Sequence, residues 1–121
     1  MVDARRFLPL SPQQFHILLA LSDRERHGYG IILDVVERTG GGVRLGTGTL
    51  YTSVARLAGL GLIAEADRAD RRDGRRRYYR LTPIGRAVLR AETARLEGLV
   101  RHAHDARVYG DRRPNPAQPR S

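Results

Sequence analysis

The order in which helical and extended segments follow one another constrains the fold of this chain more than any other feature of its sequence. Three segments with helical spacing come first, then two extended segments on either side of an arginine-rich turn, and finally one long helical segment. The first helix is predicted from Ser11 to about Ser22. Pro12 follows the cap position, and Gln14 completes a capping box ahead of a wide apolar stripe. With 121 residues, the chain can build one domain around a modest core.

Glycines separate the second and third helical segments. The second helix is predicted to begin after the turn at His27 and Gly28 and to end at the triple glycine 40–42. The third is predicted to begin with Thr47 as its N-cap and to end near Leu60. One side of this third helix is apolar and the other carries small polar side chains. One face therefore belongs to the core, and the other is available for hydrogen bonding.

Extended chain is expected on both sides of the arginine-rich turn. The pattern becomes extended from Leu62 to about Asp67, and residues from Arg77 to Leu81 alternate in polarity. These two segments are predicted to pair as a hairpin. A further short edge strand is predicted at 43–45.

The last helical segment is too long for the core that this chain can build. It is predicted to begin at Thr82 and Pro83 and to continue for about 22 residues, or about 33 Å. Its distal half needs another surface to pack against, and a second copy of the same helix is the simplest one. The predicted dimer contacts are Leu89, Leu96, Leu99, Val100 and Ala103.

Positive charge is concentrated in the turn between the two strands. The chain has 22 basic and 13 acidic residues, for a formal net charge of +9, and every basic residue is an arginine. Residues 68–80 hold seven arginines and two aspartates, whereas residues 1–67 hold seven arginines and seven acids. This cluster indicates an anionic partner, although an arginine run can also be a solvated loop.

Together these elements match a winged helix-turn-helix: a mainly α fold with a small β-hairpin, plus a long C-terminal dimerisation helix. In this fold the third helix enters the major groove of DNA and the hairpin forms a wing beside it. The predicted domains are an N-terminal arm (1–10), the DNA-binding domain (11–82), the dimerisation helix (83–108) and a disordered tail (109–121).

Several classes of function are excluded by what the sequence lacks. It has no cysteine, which removes thiol catalysis, disulfides and the usual structural zinc sites. It has no lysine for a phosphate-binding loop, and no dinucleotide fingerprint, nucleophile elbow or His-Glu-x-x-His motif. His102 and His104 lie two residues apart on a helix and cannot face one ligand. We therefore expect neither an enzyme nor a metal or cofactor site.

The sequence also predicts a cytoplasmic protein with no membrane partner. No window approaches the roughly 20 apolar residues that span a bilayer. Residues 1–10 contain no apolar core of a secretory signal. The absence of cysteine agrees with a reducing compartment.

Several stretches of the chain resemble the PadR-like transcriptional regulators. They are HGYGII at 27–32, GTLY at 48–51, LAGLGLI at 57–63 and GRRRYYRLT at 74–82, with Gly85 beyond them. The resemblance extends over roughly residues 10–105 in one order. It implies a dimeric DNA-binding regulator, for the most part a repressor, with a single C-terminal helix for dimerisation. It also leaves open release from DNA by a small-molecule effector.

The predicted DNA contacts combine this resemblance with the pattern of polar residues. We expect Tyr51 to contact a phosphate rather than only to pack between helices, whereas Tyr29 stays open between the two roles. Arg56 is expected to meet phosphate rather than a base edge. The wing arginines are expected to reach phosphates or the minor groove. The full set is Tyr29, Thr47, Gly48, Thr49, Tyr51, Thr52, Ser53, Arg56, Arg75, Arg76 and Arg77.

Two other functions remain compatible with the sequence. A basic structural or RNA-associated protein could use the same fold without operator specificity, and competition between a palindromic duplex and structured RNA at physiological salt would identify it. A protein-interaction module would show no salt-sensitive DNA binding. The main prediction is a homodimeric repressor of transcription on a palindromic operator.

Overall fold

The computed structural model describes residues 2–69, 76–108 and 110. In chain order, its elements are a 3-10 turn (Ala4–Phe7), α1 (Pro12–Ala20), β1 (Arg26–His27), α2 (Gly28–Arg38), α3 (Thr47–Gly59), β2 (Ile63–Ala69), β3 (Arg77–Leu81) and α4 (Pro83–Asp105). The order of the helices and the β2–β3 hairpin is the predicted one. The predicted tail, 109–121, lies outside the described residues except for Gly110.

The strands form one antiparallel sheet in the order β1-β3-β2. Tyr79 of the central strand β3 pairs with Arg26 of β1 on one side and with Glu65 of β2 on the other. The prediction of an edge strand at 43–45 is wrong, because these residues form a loop anchored by the buried side chain of Leu45. The third strand of the sheet is instead β1, whose two polar residues carry no alternating pattern.

Side-chain caps begin α1 and α4 where the sequence predicts them. The Ser11 hydroxyl accepts the Gln14 amide at 3.1 Å, and the Gln14 side-chain oxygen accepts the Ser11 amide at 3.0 Å. The Thr82 hydroxyl accepts the Gly85 amide at 3.0 Å and thereby starts α4. Both helices therefore begin through local hydrogen bonds that the sequence encodes.

The caps of α2 and α3 differ from the predicted ones. His27 caps α2, because its Nδ1 atom accepts the Gly30 amide at 3.0 Å. Thr47 is the first residue of α3 rather than its cap. Gly46 occupies the cap position and supplies no side-chain hydrogen bond. The exposed start of α3 therefore lacks the hydroxyl cap that the sequence suggested.

A hydrophobic core joins the three-helix unit to the sheet and to the first half of α4. Leu50, Val54 and Leu57 form the buried face of α3, as predicted. Val88 and Leu89 of α4 belong to the same core, and Leu89 is only 7% exposed. This corrects the assignment of Leu89 to the dimer contacts, because the first half of α4 covers the protomer's own core.

The second half of α4 leaves this core. Leu99 and Val100 are 49% and 55% exposed, and Leu96 and Ala103 are partly exposed. We call these four residues the distal α4 face. No helix within the described ranges is long and apolar enough to cross a membrane.

Candidate nucleic-acid interface

Helix α3 turns its polar side to solvent. Its core residues Leu50, Val54 and Leu57 are at most 4% exposed. The predicted DNA contacts of this helix all lie outside that core face; Thr47, Gly48, Thr49, Tyr51, Thr52 and Arg56 are exposed, and Ser53 is partly exposed. The predicted contacts of this helix are therefore all accessible to solvent, at least in part.

A cleft of about 410 Å³ lies between α3, the start of α2 and the wing strand β3. We call it the wing-side cleft; it is lined by His27, Gly28, Tyr29, Tyr51, Arg76, Arg77 and Tyr79. The fold thus brings four predicted contacts, Tyr29, Tyr51, Arg76 and Arg77, to one open space. Tyr29 and Tyr51 are 60% and 49% exposed. Arg75 lies outside the described residues.

The shape of this cleft depends on the absence of a side chain at Gly28. A Cβ atom there would lie 2.6 Å from Tyr51 Oη and 3.0 Å from Tyr51 Cζ. The Tyr51 ring therefore packs directly against the start of α2, while about half of its side chain stays exposed. At this end of a helix the backbone N–H groups carry partial positive charge. The cleft combines that charge with tyrosine hydroxyls and guanidinium groups.

His27 joins the start of α2 to the wing. Its Nε2 atom lies 3.0 Å from Arg76 Nη1, and its ring meets the Tyr78 ring edge to face at a centroid distance of 5.3 Å. From the sequence, this histidine was predicted only as part of the turn before the second helix. Its position directly before Gly28 was the signal for a helix cap, but its distance from Arg76 depends on the folded wing.

A second groove, of about 540 Å³, lies on the other side of α3. We call it the α1-side groove; it is lined by Pro9, Leu10, Ser11, Gln13, Gln14, Thr49, Thr52, Ser53 and Arg56. Helix α3 therefore stands between two depressions. Gln13, at the exposed start of α1, borders this groove and was not among the predicted contacts. A helix flanked in this way fits a major groove with a phosphate backbone on each side.

The ion pair between Arg77 of the wing strand and Glu65 is weak. Arg77 Nε lies 4.0 Å from Glu65 Oε1, and their side chains are 71% and 59% exposed, so solvent screens this pair. Burial raises the pKa of Tyr79 at the wall of the cleft, which keeps its hydroxyl protonated. Among the described residues, no group of three or more His, Cys, Asp or Glu is placed to hold a metal ion.

Comparison with known proteins decides the family. The model of the transcriptional regulator PadR-like family matches residues 17–91 of the chain. The chain belongs to this family. A curated relative, the transcriptional regulator Rv3488 of Mycobacterium tuberculosis, is 39% identical over 89 residues, which cover 73% of this chain and 78% of the relative. Both the family and this relative are described as transcriptional regulators.

Solved structures agree with the PadR-like assignment. A PadR family transcription regulator from Clostridium difficile R20291 has a TM-score of 0.69 and 25% identity, over 78% of this chain and 97% of that one. A transcriptional regulator from Clostridium thermocellum has the same fold, with a TM-score of 0.68 and 23% identity over 87% and 97% of the two chains. The predicted family and winged helix fold are confirmed. This PadR-like chain is a winged helix DNA-binding transcriptional regulator.

Proposed function

We propose that this PadR-like regulator is a homodimeric repressor that binds a palindromic operator. The observation that carries the proposal is the accessible polar face of α3, flanked by the wing-side cleft and the α1-side groove. In each protomer, α3 enters a major groove, and the two half-sites lie about 34 to 36 Å apart, or one helical turn.

The two depressions beside α3 suit different parts of the duplex. Tyr29, Tyr51, Arg76 and Arg77 contact phosphates from the wing-side cleft, and Arg75, their neighbour in sequence, adds a further phosphate contact. Arg56 meets phosphate on the opposite side of the helix.

Small residues at the start of α3 allow the backbone of this helix to come close to the bases. Thr47 and Gly48 add little bulk, so the backbone can come near the groove floor. The hydroxyls of Thr49, Thr52 and Ser53 can donate to or accept from base edges, as serine and threonine do in either role.

The distal α4 face provides the contact between protomers. It borders a groove of about 470 Å³ between α1 and α4, whose lining includes Phe15, Leu96 and Val100. A second α4 seated there removes these exposed apolar side chains from water. A small apolar molecule held in the same groove would change how the protomers meet, and this is the route by which an effector would release the repressor from DNA.

Selection of bound fragments from a sheared genomic library tests this function. We expect a footprint with two symmetric half-sites about one turn apart. Thr52→Glu places a negative charge against the duplex and should abolish binding, whereas Thr52→Ser keeps the hydroxyl and should retain it.

Two results would contradict the proposal. Operator binding by Thr52→Glu at wild-type affinity would show that α3 does not enter the groove. Equal competition by a structured RNA at physiological salt would favour an RNA-associated role instead.

A further inference from the structure

The α1-side groove has two walls that come from distant parts of the chain. One wall is the polar side of α3, including Arg56, and the other is the start of α1 with the residues just before it. Among the described residues that line this groove, Arg56 carries the only charge, and none is an acid. A groove with a cation and no carboxylate in its described lining suits a negatively charged partner.

The wall on the α1 side is anchored on both sides of Gln13. Leu10 is buried in the hydrophobic core, with 8% of its surface exposed. The capping box ties Ser11 and Gln14 to each other. Because these anchors lie within three residues of Gln13, the backbone at this position is already in place before a partner binds. A preorganised contact costs less entropy when it forms.

Gln13 is the residue of this wall whose side chain is available for a partner. The Ser11 hydroxyl and the Gln14 side-chain oxygen are both used by the cap of α1. Gln13 is exposed, and no described residue hydrogen-bonds to its carboxamide, which offers two N–H donors. On the α3 wall, Arg56 is also exposed, and its guanidinium forms no ion pair with any residue that the structure describes.

The place of Gln13 beside α3 indicates which part of a duplex it meets. When α3 enters the major groove, base edges lie ahead of its exposed side, and a sugar–phosphate strand lies on each side of the helix. Gln13 is not on α3 but on the opposite wall of the α1-side groove. A glutamine can read an adenine only where it reaches the base edges. From the wall beside the helix, the flanking strand is the nearer target.

We propose that the α1-side groove seats the sugar–phosphate backbone of one DNA strand, and that Gln13 is a DNA-binding residue whose side-chain N–H donates to a phosphodiester oxygen of that strand. The inference rests on the proposed DNA-binding function and adds to it a contact from a second helix. Arg56 holds the same strand from the α3 wall. With the wing on its other side, α3 is then fixed between two backbone contacts, which set its register on the duplex.

Substitutions at Gln13 should separate DNA binding from stability. Binding to a mixed-sequence duplex is measured over a series of salt concentrations. Gln13→Ala removes the donor, and we expect about a tenfold loss of affinity. The slope of log affinity against log salt should keep its wild-type value, because a neutral side chain releases no counterion. Gln13→Arg adds a cation beside the strand and should make the slope steeper by about 0.9 for each bound protomer.

A glutamate at the same position should move binding and stability in different directions. Gln13→Glu should bind the duplex more weakly than Gln13→Ala, because its carboxylate is repelled by phosphate. A carboxylate in the first turn of a helix is favourable, so the midpoint of thermal unfolding should not fall. Gln14→Ala is the matched control for stability. It removes the capping box, and its midpoint should therefore lie below that of Gln13→Ala.

Four results would overturn the inference. They are wild-type affinity of Gln13→Ala, an unchanged slope for Gln13→Arg, an unfolding midpoint of Gln13→Ala as low as that of Gln14→Ala, and a loss of affinity confined to fragments selected from the genome. The last would indicate a base contact, since a phosphate contact weakens binding to all sequences alike. If Thr52→Glu still abolishes binding in these cases, the proposed function stands. If the wild-type protein shows no salt-dependent DNA binding, the proposed function itself fails, and the inference fails with it.

Discussion

The Glu92 carboxylate accepts a hydrogen bond from the Leu10 amide at 2.9 Å, and 82 residues separate the two in sequence. Glu92 lies on the buried side of α4 and is 1% exposed. Arg95, one turn further along, donates to the same carboxylate, with 3.1 Å between Nη2 and Oε2. The carboxylate therefore ties the residues preceding α1 to the helix that also carries the distal α4 face.

Replacing Glu92 by Ala should lower the free energy of unfolding by about 2 kcal/mol. The substitution leaves the Leu10 amide without its acceptor in a buried position and removes the partner of Arg95. Urea denaturation measures the loss. Glu37→Ala, at an exposed carboxylate of α2, is the control and should change stability by less than about 0.5 kcal/mol. Equal effects of the two substitutions would contradict a structural role for the buried carboxylate.

The same carboxylate should make stability depend on pH in the acidic range. The hydrogen bonds from Arg95, foremost, and from Leu10 lower the pKa of Glu92, although burial alone would raise it. A folded pKa below the unfolded one stabilises the protein above the unfolded value of about 4.3, and this stabilisation is lost as the pH falls further. The difference in unfolding free energy between the wild type and Glu92→Gln should therefore shrink below about pH 4.3. A difference that stays constant down to pH 3 would count against this linkage.

Two glycines of α4 should respond in opposite ways to the same substitution. A Cβ atom at Gly85 would collide with the Leu62 carbonyl, whereas at Gly98 the nearest atom, Arg101 Nη2, would be 4.0 Å away. We expect Gly85→Ala to destabilise the protein by about 2 to 3 kcal/mol. Gly98→Ala should stabilise it by about 0.5 to 1 kcal/mol, because alanine favours the helix. Thermal unfolding of both variants checks the pair, and a stable Gly85→Ala would mean that α4 can move away from Leu62.

The parts of the fold that sequence reasoning predicted are those with local signals. The capping box of Ser11 and Gln14 uses neighbouring residues, and the two faces of α3 follow from helical periodicity alone. The β2–β3 pairing likewise follows from an extended segment at 62–67 and an alternating one at 77–81. Each of these signals lies within one element or between neighbours in the chain.

The parts that it missed depend on contacts between distant segments. Strand β1 has two polar residues and becomes a strand only because Tyr78 and Tyr79 of β3 pair with it. Glu92 looks like a surface acid until the Leu10 amide lies beside it. Leu89 continues the apolar stripe of α4, so sequence alone could not tell where that stripe leaves the core. In the site, His27 meets Arg76 only after the wing has folded.

The wing arginines should determine the salt dependence of DNA binding. Replacing Arg75, Arg76 and Arg77 together by Gln removes three cations that the proposal places on phosphates. The slope of log affinity against log salt should fall in magnitude by up to about 3. Arg90→Gln, at an exposed position of α4, is the control and should leave the slope unchanged. An unchanged slope for the triple variant would remove the wing from the interface.

The distal α4 face should hold the dimer together, and two leucines of equal exposure allow a matched test. Leu99 on α4 is 49% exposed and Leu33 on α2 is 50% exposed. A glutamate in place of Leu99 would bury a charge between two apolar helix faces. Because an unpaired buried charge is costly, this substitution should dissociate the dimer. We expect Leu99→Glu to sediment as a monomer and Leu33→Glu to sediment as a dimer. The monomer should also bind an operator with two half-sites far more weakly than the dimer, because each half-site is then bound independently. A dimeric Leu99→Glu would place the contact between protomers elsewhere on the molecule.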